Sequence, residues 1–302
     1  MRRFARVAAA VAILALPGTA LRAATQADSA CPSGGTVRFG VEPFEAAARI
    51  VPAYEALGKL LGEKLGCPVE VSIPTSYNAE IEAMRSGKLE AGEFGPVGYV
   101  LAHRISRADV VATYGNAKGQ PIAYYASIVT WPGSGIKTLK GVSGHSFAYS
   151  DPASTSGHLF PAYGLRKAGI DPDRGVQPLF AGSHTAAFET IRNHKADAGE
   201  LNTAEIVSAT DAGEYTPADW LTLWRSPPIP NDPITIRRDL PAAFKKRFTS
   251  ALLALKFSQL PPDLVRVFPA TGTTNFVPMP DASYDVIRDL VKTLGVDLNK
   301  LS

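Results

Sequence analysis

Along the chain, hydrophobic and polar positions switch repeatedly between the two-residue period of a strand and the three-to-four-residue period of a helix. Residues 36–41 (Thr-Val-Arg-Phe-Gly-Val) alternate as a strand does. The next stretch, 52–64, sets Tyr54, Leu57, Leu61 and Leu65 on one helical face. Pro52 suits a first helical turn, and Gly66 suits a helix end. Residues 68–73 then read as a strand, 78–85 as a helix stopped by Gly87, 89–94 as a strand, 97–103 as a helix and 109–114 as a strand. A second such series begins near Ile122, with strands at 124–130, 146–149, 177–181, 197–201 and 220–224 and helices at 155–167 and 184–194. Pro227, Pro228, Pro230 and Pro233 follow, a density that no central strand accepts. A strand at 234–238 and helices at 242–257 and 282–294 complete the chain.

This alternation predicts an α/β protein with open sheets flanked by crossover helices. The chain starts in one lobe, builds a second and returns. Lobe I is expected at 32–116 with 229–302 and lobe II at 122–224, joined by a two-segment hinge near 116–122 and 225–232. Ligands of open α/β folds sit at the carboxyl ends of strands, against helix starts. Two such lobes face to face make a cleft.

Composition narrows the class. The 302 residues are 45% hydrophobic and 20% charged, which excludes a disordered tail or a coiled coil and suits about two globular domains. The formal charge of +3 is unevenly placed. Arg2, Arg3, Arg6 and Arg22 lie in a leader without Asp or Glu, and without them the charge is −1. A near-neutral remainder gives no electrostatic reason for nucleic-acid binding. Basic residues, the apolar run 7–16, Pro17-Gly18 and small residues at Ala20, Ala23 and Ala24 form the pattern of a cleaved signal peptide over 1–24. The run is too short to span a bilayer. Export exposes Cys31 and Cys67 to an oxidising compartment. Each precedes a predicted strand, and parallel neighbours would bring those starts together, so a Cys31–Cys67 disulfide is expected.

Motifs of catalysis are scarce. The chain has no phosphate-binding Gly-x-x-x-x-Gly-Lys loop and no Gly-x-Ser-x-Gly elbow. Its five histidines lack metal-ligand spacing, and no metal or cofactor is expected. Ser154, His184 and Asp232 make a triad only on paper, since triads are defined by geometry. The segment Asp151-Pro152-Ala153-Ser154-Thr155-Ser156-Gly157-His158 says more. A strand ends, Pro turns the chain, and Ser154, Thr155 and Ser156 open a helix. Its first amides have no partner within the helix and carry the positive end of its dipole. Such a place holds a tetrahedral oxyanion without Lys or Arg. Plain N-capping explains one of the hydroxyl residues equally well.

Here the chain resembles the periplasmic phosphonate/phosphite/phosphate-binding components of ABC importers. The resemblance runs from Val37 to about Leu294. It is carried by Phe94-Gly95-Pro96, Ala123-Tyr124-Tyr125-Ala126-Ser127, the Asp151–Gly157 segment, Gly182-Ser183-His184 and Ser226-Pro227-Pro228-Ile229-Pro230-Asn231-Asp232-Pro233. It implies a two-lobed type II periplasmic binding protein, not an enzyme, that captures a small phosphorus oxyanion for a permease in the inner membrane. A monomer is expected. It further implies that Ser154, Thr155 and Ser156 hold the ligand's oxygens, with Tyr77, Tyr124 and His184 as added donors. Asp232 would take a proton from a P–OH group or pair with an amine, and Phe94 and Tyr99 would shape the pocket. Relatives that bind aminoalkylphosphonates carry a second carboxylate where this chain aligns Ala204, which points to phosphite, phosphate or a short alkylphosphonate. The alternatives are a sensor presenting its ligand to a membrane histidine kinase and an exported hydrolase.

Overall fold

The structure, a computed structural model, describes residues 31–297 apart from residue 33. The expected signal peptide, 1–24, lies outside the described residues. The chain opens with β1 (Val37–Val41), α1 (Ala47–Leu65), β2 (Val69–Ser72), α2 (Tyr77–Arg85), β3 (Ala91–Glu93), α3 (Pro96–Ile105) and β4 (Ala108–Gly115). After β5 (Ala123–Tyr124) come β6 (Ala126–Thr130), β7 (Ser146–Tyr149), a π-helical turn (Thr155–Leu159) continuing into α4 (Phe160–Lys167), and β8 (Gln177–Phe180). Next are α5 (His184–Arg192), β9 (Ala198–Asn202), α6 (Thr203–Asp211), β10 (Leu221–Arg225) and β11 (Ile229–Pro230). The chain closes with β12 (Ile234–Arg237), α7 (Ala242–Leu253), α8 (Pro262–Val265), β13 (Asn275–Val277) and α9 (Asp285–Leu294).

Two open mixed sheets result. One has the order β13-β4-β12-β3-β1-β2, the other β10-β6-β9-β7-β8. Parallel pairs β1·β2, β1·β3, β7·β8 and β7·β9 form where a helix returns the chain over the sheet, as crossover connections require. The two passages between the sheets pair with each other, Ile229 opposite Tyr124 in β11·β5. Helix α1 buries Ile50, Tyr54, Leu57, Leu61 and Leu65 against the first sheet, the stripe expected from its period. Cys31 and Cys67 are bonded at a Cα separation of 5.8 Å, because Val37 pairs with Val69 and brings the two strand starts together.

Several expected boundaries moved. Helix α1 starts at Ala47, so Pro52 lies inside it rather than in its first turn. Ala47, Ala48 and Arg49 are strong helix formers and extend the helix back past the proline. The expected strand 124–130 breaks at Tyr125, whose N–H donates to Thr203 Oγ1 at 3.0 Å and whose ring stacks under Arg225. The break leaves Tyr124 buried and Tyr125 partly exposed. The last long helices are shorter than their patterns. Helix α7 stops at Leu253, since Phe257 must turn inward to Phe268 and Phe276, at ring distances of 5.0 and 5.2 Å. Helix α9 is preceded by a 3-10 turn that aims the Tyr284 hydroxyl at the Asn231 carbonyl, 2.8 Å away.

Replacing both Cys31 and Cys67 by Ser opens a loop of 36 residues. We expect urea unfolding to show about 2–4 kcal/mol less stability with the native circular dichroism spectrum retained.

Candidate functional site

Strand ends and helix starts from both sheets meet at one cavity of about 30 Å³. A void needs roughly 10–15 Å³ to take one water, so this one suits a compact ion rather than a drug-sized ligand. A larger open groove of about 740 Å³ along α1 and β2 gathers no comparable set of converging donors.

The second sheet supplies the helix start. After β7, Asp151 Oδ1 accepts from the N–H of Ala153 at 2.8 Å and fixes the turn. Ser154 caps the π-helical turn, its Oγ accepting from Gly157 N at 3.1 Å. Thr155 and Ser156 come first in that turn, so their amides have no intrahelical acceptor. The turn is wide because Gly157 passes very close to Ser150; a Cβ there would lie 1.7 Å from Ser150 Oγ and 2.9 Å from His184. Widened turns of this kind recur at functional sites. Ser154, Thr155 and Ser156 are each 2% exposed and line the cavity, so more than simple capping places them there.

His184 opens α5 beside them. Its Nδ1 lies 2.7 Å from Glu200 Oε1, and its Nε2 lies 3.4 Å from Ser154 Oγ. Burial disfavours the imidazolium, but the charge and hydrogen bond of Glu200, with Glu205 and Asp232 beyond, push its pKa up. Nδ1 is the donor to Glu200, which leaves Nε2 directed to the cavity side.

The first sheet supplies Tyr77, the first residue of α2, and Asp232, which follows β11; both line the cavity, as does Tyr124. Thus all seven residues expected from the sequence border one space. The cavity also has a wall the sequence reading did not name: Glu42, Phe44, Gly95, Asn202 and Pro269. Asn202 caps α6 through Oδ1, and its Nδ2 faces Ser156 Oγ at 3.4 Å. Glu42 Oε2 accepts from Gly95 N at 2.7 Å. Phe94 and Tyr99 are wholly buried but do not border the cavity; Tyr99 Oη instead donates to Asp281 Oδ1 at 2.6 Å. Their part is packing.

The lobes touch across this space. Val97 N donates to Thr155 Oγ1 at 2.8 Å and His184 N to the Phe44 carbonyl at 3.0 Å. Glu45 reaches over to accept from Ser208 Oγ at 2.5 Å and from Thr185 Oγ1. Thr155 therefore belongs to both lobes. Its hydroxyl takes a hydrogen bond from α3 and meets the Tyr124 hydroxyl at the cavity wall.

The chain matches the family model of periplasmic substrate-binding proteins of phosphonate ABC transporters over residues 39–284. It belongs to that family. The phosphate-import protein PhnD of Mycolicibacterium smegmatis is 27% identical over 238 residues, 75% of this chain and 74% of that one. The phosphonates-binding periplasmic protein of Escherichia coli is 26% identical over 216 residues, 70% of this chain and 63% of that one. In fold, the chain is similar to PhnD1 of Prochlorococcus marinus solved with methylphosphonate, at a TM-score of 0.75 and 20% identity, covering 87% of this chain and 99% of that one. The architecture is that of a type II periplasmic binding protein.

Apart from His184, the charges around the cavity are of one sign. Among the described residues, no Lys or Arg borders the cavity, while Glu42 and Asp232 do. Burial pushes Asp232 up to about 7, with His184 opposing. Burial, then Glu80 and Asp232, push Glu42 well up. Behind them, burial and Asp232 push Glu93 up to about 8, although Tyr114 Oη and Tyr54 Oη donate to it at 2.6 and 2.9 Å. Ala204 borders the cavity, and no carboxylate replaces it: Glu200 is held by His184, and Glu205 faces Thr185.

These acids set a pH dependence of stability with a definite sign. Their folded pKa values lie above the unfolded ones, so the folded protein binds more protons between about pH 4.5 and 8. Stability is full below that window and falls as pH rises through it. Glu93 alone contributes a loss of roughly 2–3 kcal/mol between pH 5.5 and 8. Thermal melts of the ligand-free protein should show a midpoint several degrees lower at pH 8 than at pH 5.5, and Glu93→Gln should shrink that difference.

Proposed function

We propose that this periplasmic binding protein captures a small, partly protonated phosphorus oxyanion (phosphite, phosphate or a short alkylphosphonate) and delivers it to an ABC permease of the inner membrane. The observation that carries the reading is the Ser154-Thr155-Ser156 helix start facing a small closed cavity together with Tyr77, Tyr124 and His184. Unpaired amides and hydroxyls from one lobe take the oxygens. Lobe I completes the grip through Tyr77 and through Val97, which orients the Thr155 hydroxyl. Asp232 accepts a P–OH proton, a role that a fully ionised sulfate could not meet. The names of the Mycolicibacterium, Escherichia and Prochlorococcus relatives support this ligand class. The small volume and Ala204 favour a ligand without an aminoalkyl arm.

Lobe I (32–116 with 229–302) and lobe II (122–224) turn about the crossings at 116–122 and 225–232, and ligand shifts the population toward the closed form. The protein works as an exported monomer after loss of its leader. It performs no reaction and handles no nucleic acid. The Ser154–His184–Asp232 triad drawn from the sequence is not assembled, since the acid bonded to the imidazole is Glu200.

Calorimetry and thermal-shift measurements test the reading. Phosphite, phosphate and methylphosphonate should stabilise the protein, and sulfate and 2-aminoethylphosphonate should not. In the double variant Ser154→Ala, Thr155→Val, affinity should fall ~100-fold or more, since each hydrogen bond to a charged group is worth ~1.5–3 kcal/mol. Unchanged affinity in that variant would reject the site.

A further inference from the structure

Glu42 is the wall residue with no evident task. It follows β1, is 4% exposed and borders the cavity. Its carboxyl lies flat against the start of α3. Oε2 accepts from Gly95 N at 2.7 Å, and a Cβ on Gly98 would lie 2.4 Å from Oε1, so glycine is needed there to seat it. Oε1 is buried and has no hydrogen-bond partner. The groups facing Glu42 come from every neighbouring element: Glu80 of α2, Asp232 after β11, Asp151 after β7, and the hydroxyls of Tyr77 and Tyr124. His184 also borders the cavity, but it is paired with Glu200.

Charge decides what such a residue can be when the site is full. An ionised Glu42 and an ionised Asp232 would both confront the bound anion in a small space walled by buried residues, with no Lys or Arg among them. Isolated buried charges are avoided by neutralisation. Lobe II supplies much of the enclosure, through Tyr124, Thr155 and His184. Parting of the lobes would remove the enclosure that Tyr124, Thr155 and His184 provide and let Glu42 ionise more readily, although Glu80 stays beside it. When the lobes close, it cannot stay ionised.

We propose that Glu42 takes up one proton from solvent as the lobes close on the anion, so that capture by this site is coupled to protonation of a residue other than Asp232. In chemical terms, the Glu42 carboxylate and one solvent proton become a neutral carboxyl. Its Oε2 keeps the Gly95 hydrogen bond, and Oε1 carries the proton. No other bond forms or breaks. The inference rests on the oxyanion reading above. It adds that affinity falls with rising pH more steeply than the titration of the ligand and Asp232 alone would make it.

The test is calorimetry with methylphosphonate between pH 5.5 and 8.5, repeated in buffers of different ionisation enthalpy to count protons. Glu42→Gln imitates the neutral carboxyl: its oxygen can accept from Gly95, and its NH2 replaces the proton on Oε1. Relative to wild type, this variant should take up about one proton fewer per anion bound. Its affinity should be less pH-dependent by about tenfold per pH unit above pH 6, with binding retained at pH 5.5. Glu42→Asp, still ionisable, should keep the extra proton; urea unfolding confirms that both variants fold. Equal proton counts and equal pH slopes in wild type and Glu42→Gln would overturn the inference while leaving the oxyanion site standing. Tight binding of 2-aminoethylphosphonate that Glu42→Gln abolishes would also overturn it, since Glu42 would then be an ionised partner of an amine. A wild-type protein that binds none of these anions would instead overturn the oxyanion reading and this inference with it.

Discussion

The central constraint is a charge problem. A small anion must leave water for a closed cavity whose walls hold two carboxyl groups and no lysine or arginine. The free amides and hydroxyls at the π-helical turn answer part of it, because they stay aimed at the guest without the cost of burying a full positive charge. Protons answer the rest. Burial pushes Glu42 toward its neutral form, where it ceases to repel an oxyanion, and in the proposed complex a P–OH proton of the guest meets Asp232. The site therefore reads the protonation state of its guest as well as its shape.

The fold places these groups by making each lobe contribute what the other lacks. The parallel strand β7 ends beside a glycine that cannot carry a side chain, and the helix start opens there. Lobe I offers the start of α3, but its Gly95 amide is already taken by Glu42 and its Val97 amide by Thr155. One helix start is thus left for the anion, while the other is satisfied by the protein's own groups. This division makes Thr155 the joint of the site. Removing its hydroxyl frees an amide on lobe I and a grip on lobe II at once.

Much of this was legible in the sequence. The alternation of periods gave the sheets and helices, and the position of Cys31 and Cys67 before two parallel strands gave the disulfide. The hydroxyl run after a strand marked the helix start, and all seven expected residues border the same cavity. What stayed hidden had physical reasons. Glu42 follows an ordinary strand, and nothing local shows that a carboxyl there folds back onto a helix start 53 residues away. The acid behind His184 was Glu200 rather than Asp232, a pairing set by how β9 lies under α5. The π-helical widening depends on the contact between Gly157 and Ser150, which no local pattern announces. Phe94 and Tyr99 pack in the core rather than at the cavity, a difference hidden in the sequence because aromatic residues near a site look alike there whether they touch a ligand or only their neighbours.

A second acid pair spans the cleft beside the cavity. Glu45 of lobe I takes hydroxyl hydrogen bonds from Thr185 and Ser208 of lobe II, and Thr185 also meets Glu205 at 3.3 Å. Burial and then the charge of Glu45 push Glu205 up to about 8, against the pull of His184 and Thr185. A protonated Glu205 removes a repulsion across the cleft, so this contact favours closing below its pKa and weakens as pH rises through it. The contact involves none of the residues that border the cavity. The balance between open and closed forms then depends on this contact as well as on any ligand in the cleft. A ligand moves such an equilibrium no further than its preference for the closed form allows. In the function proposed above, that preference would come from hydrogen bonds made only when Thr155 and Tyr77 stand on opposite sides of the same oxyanion.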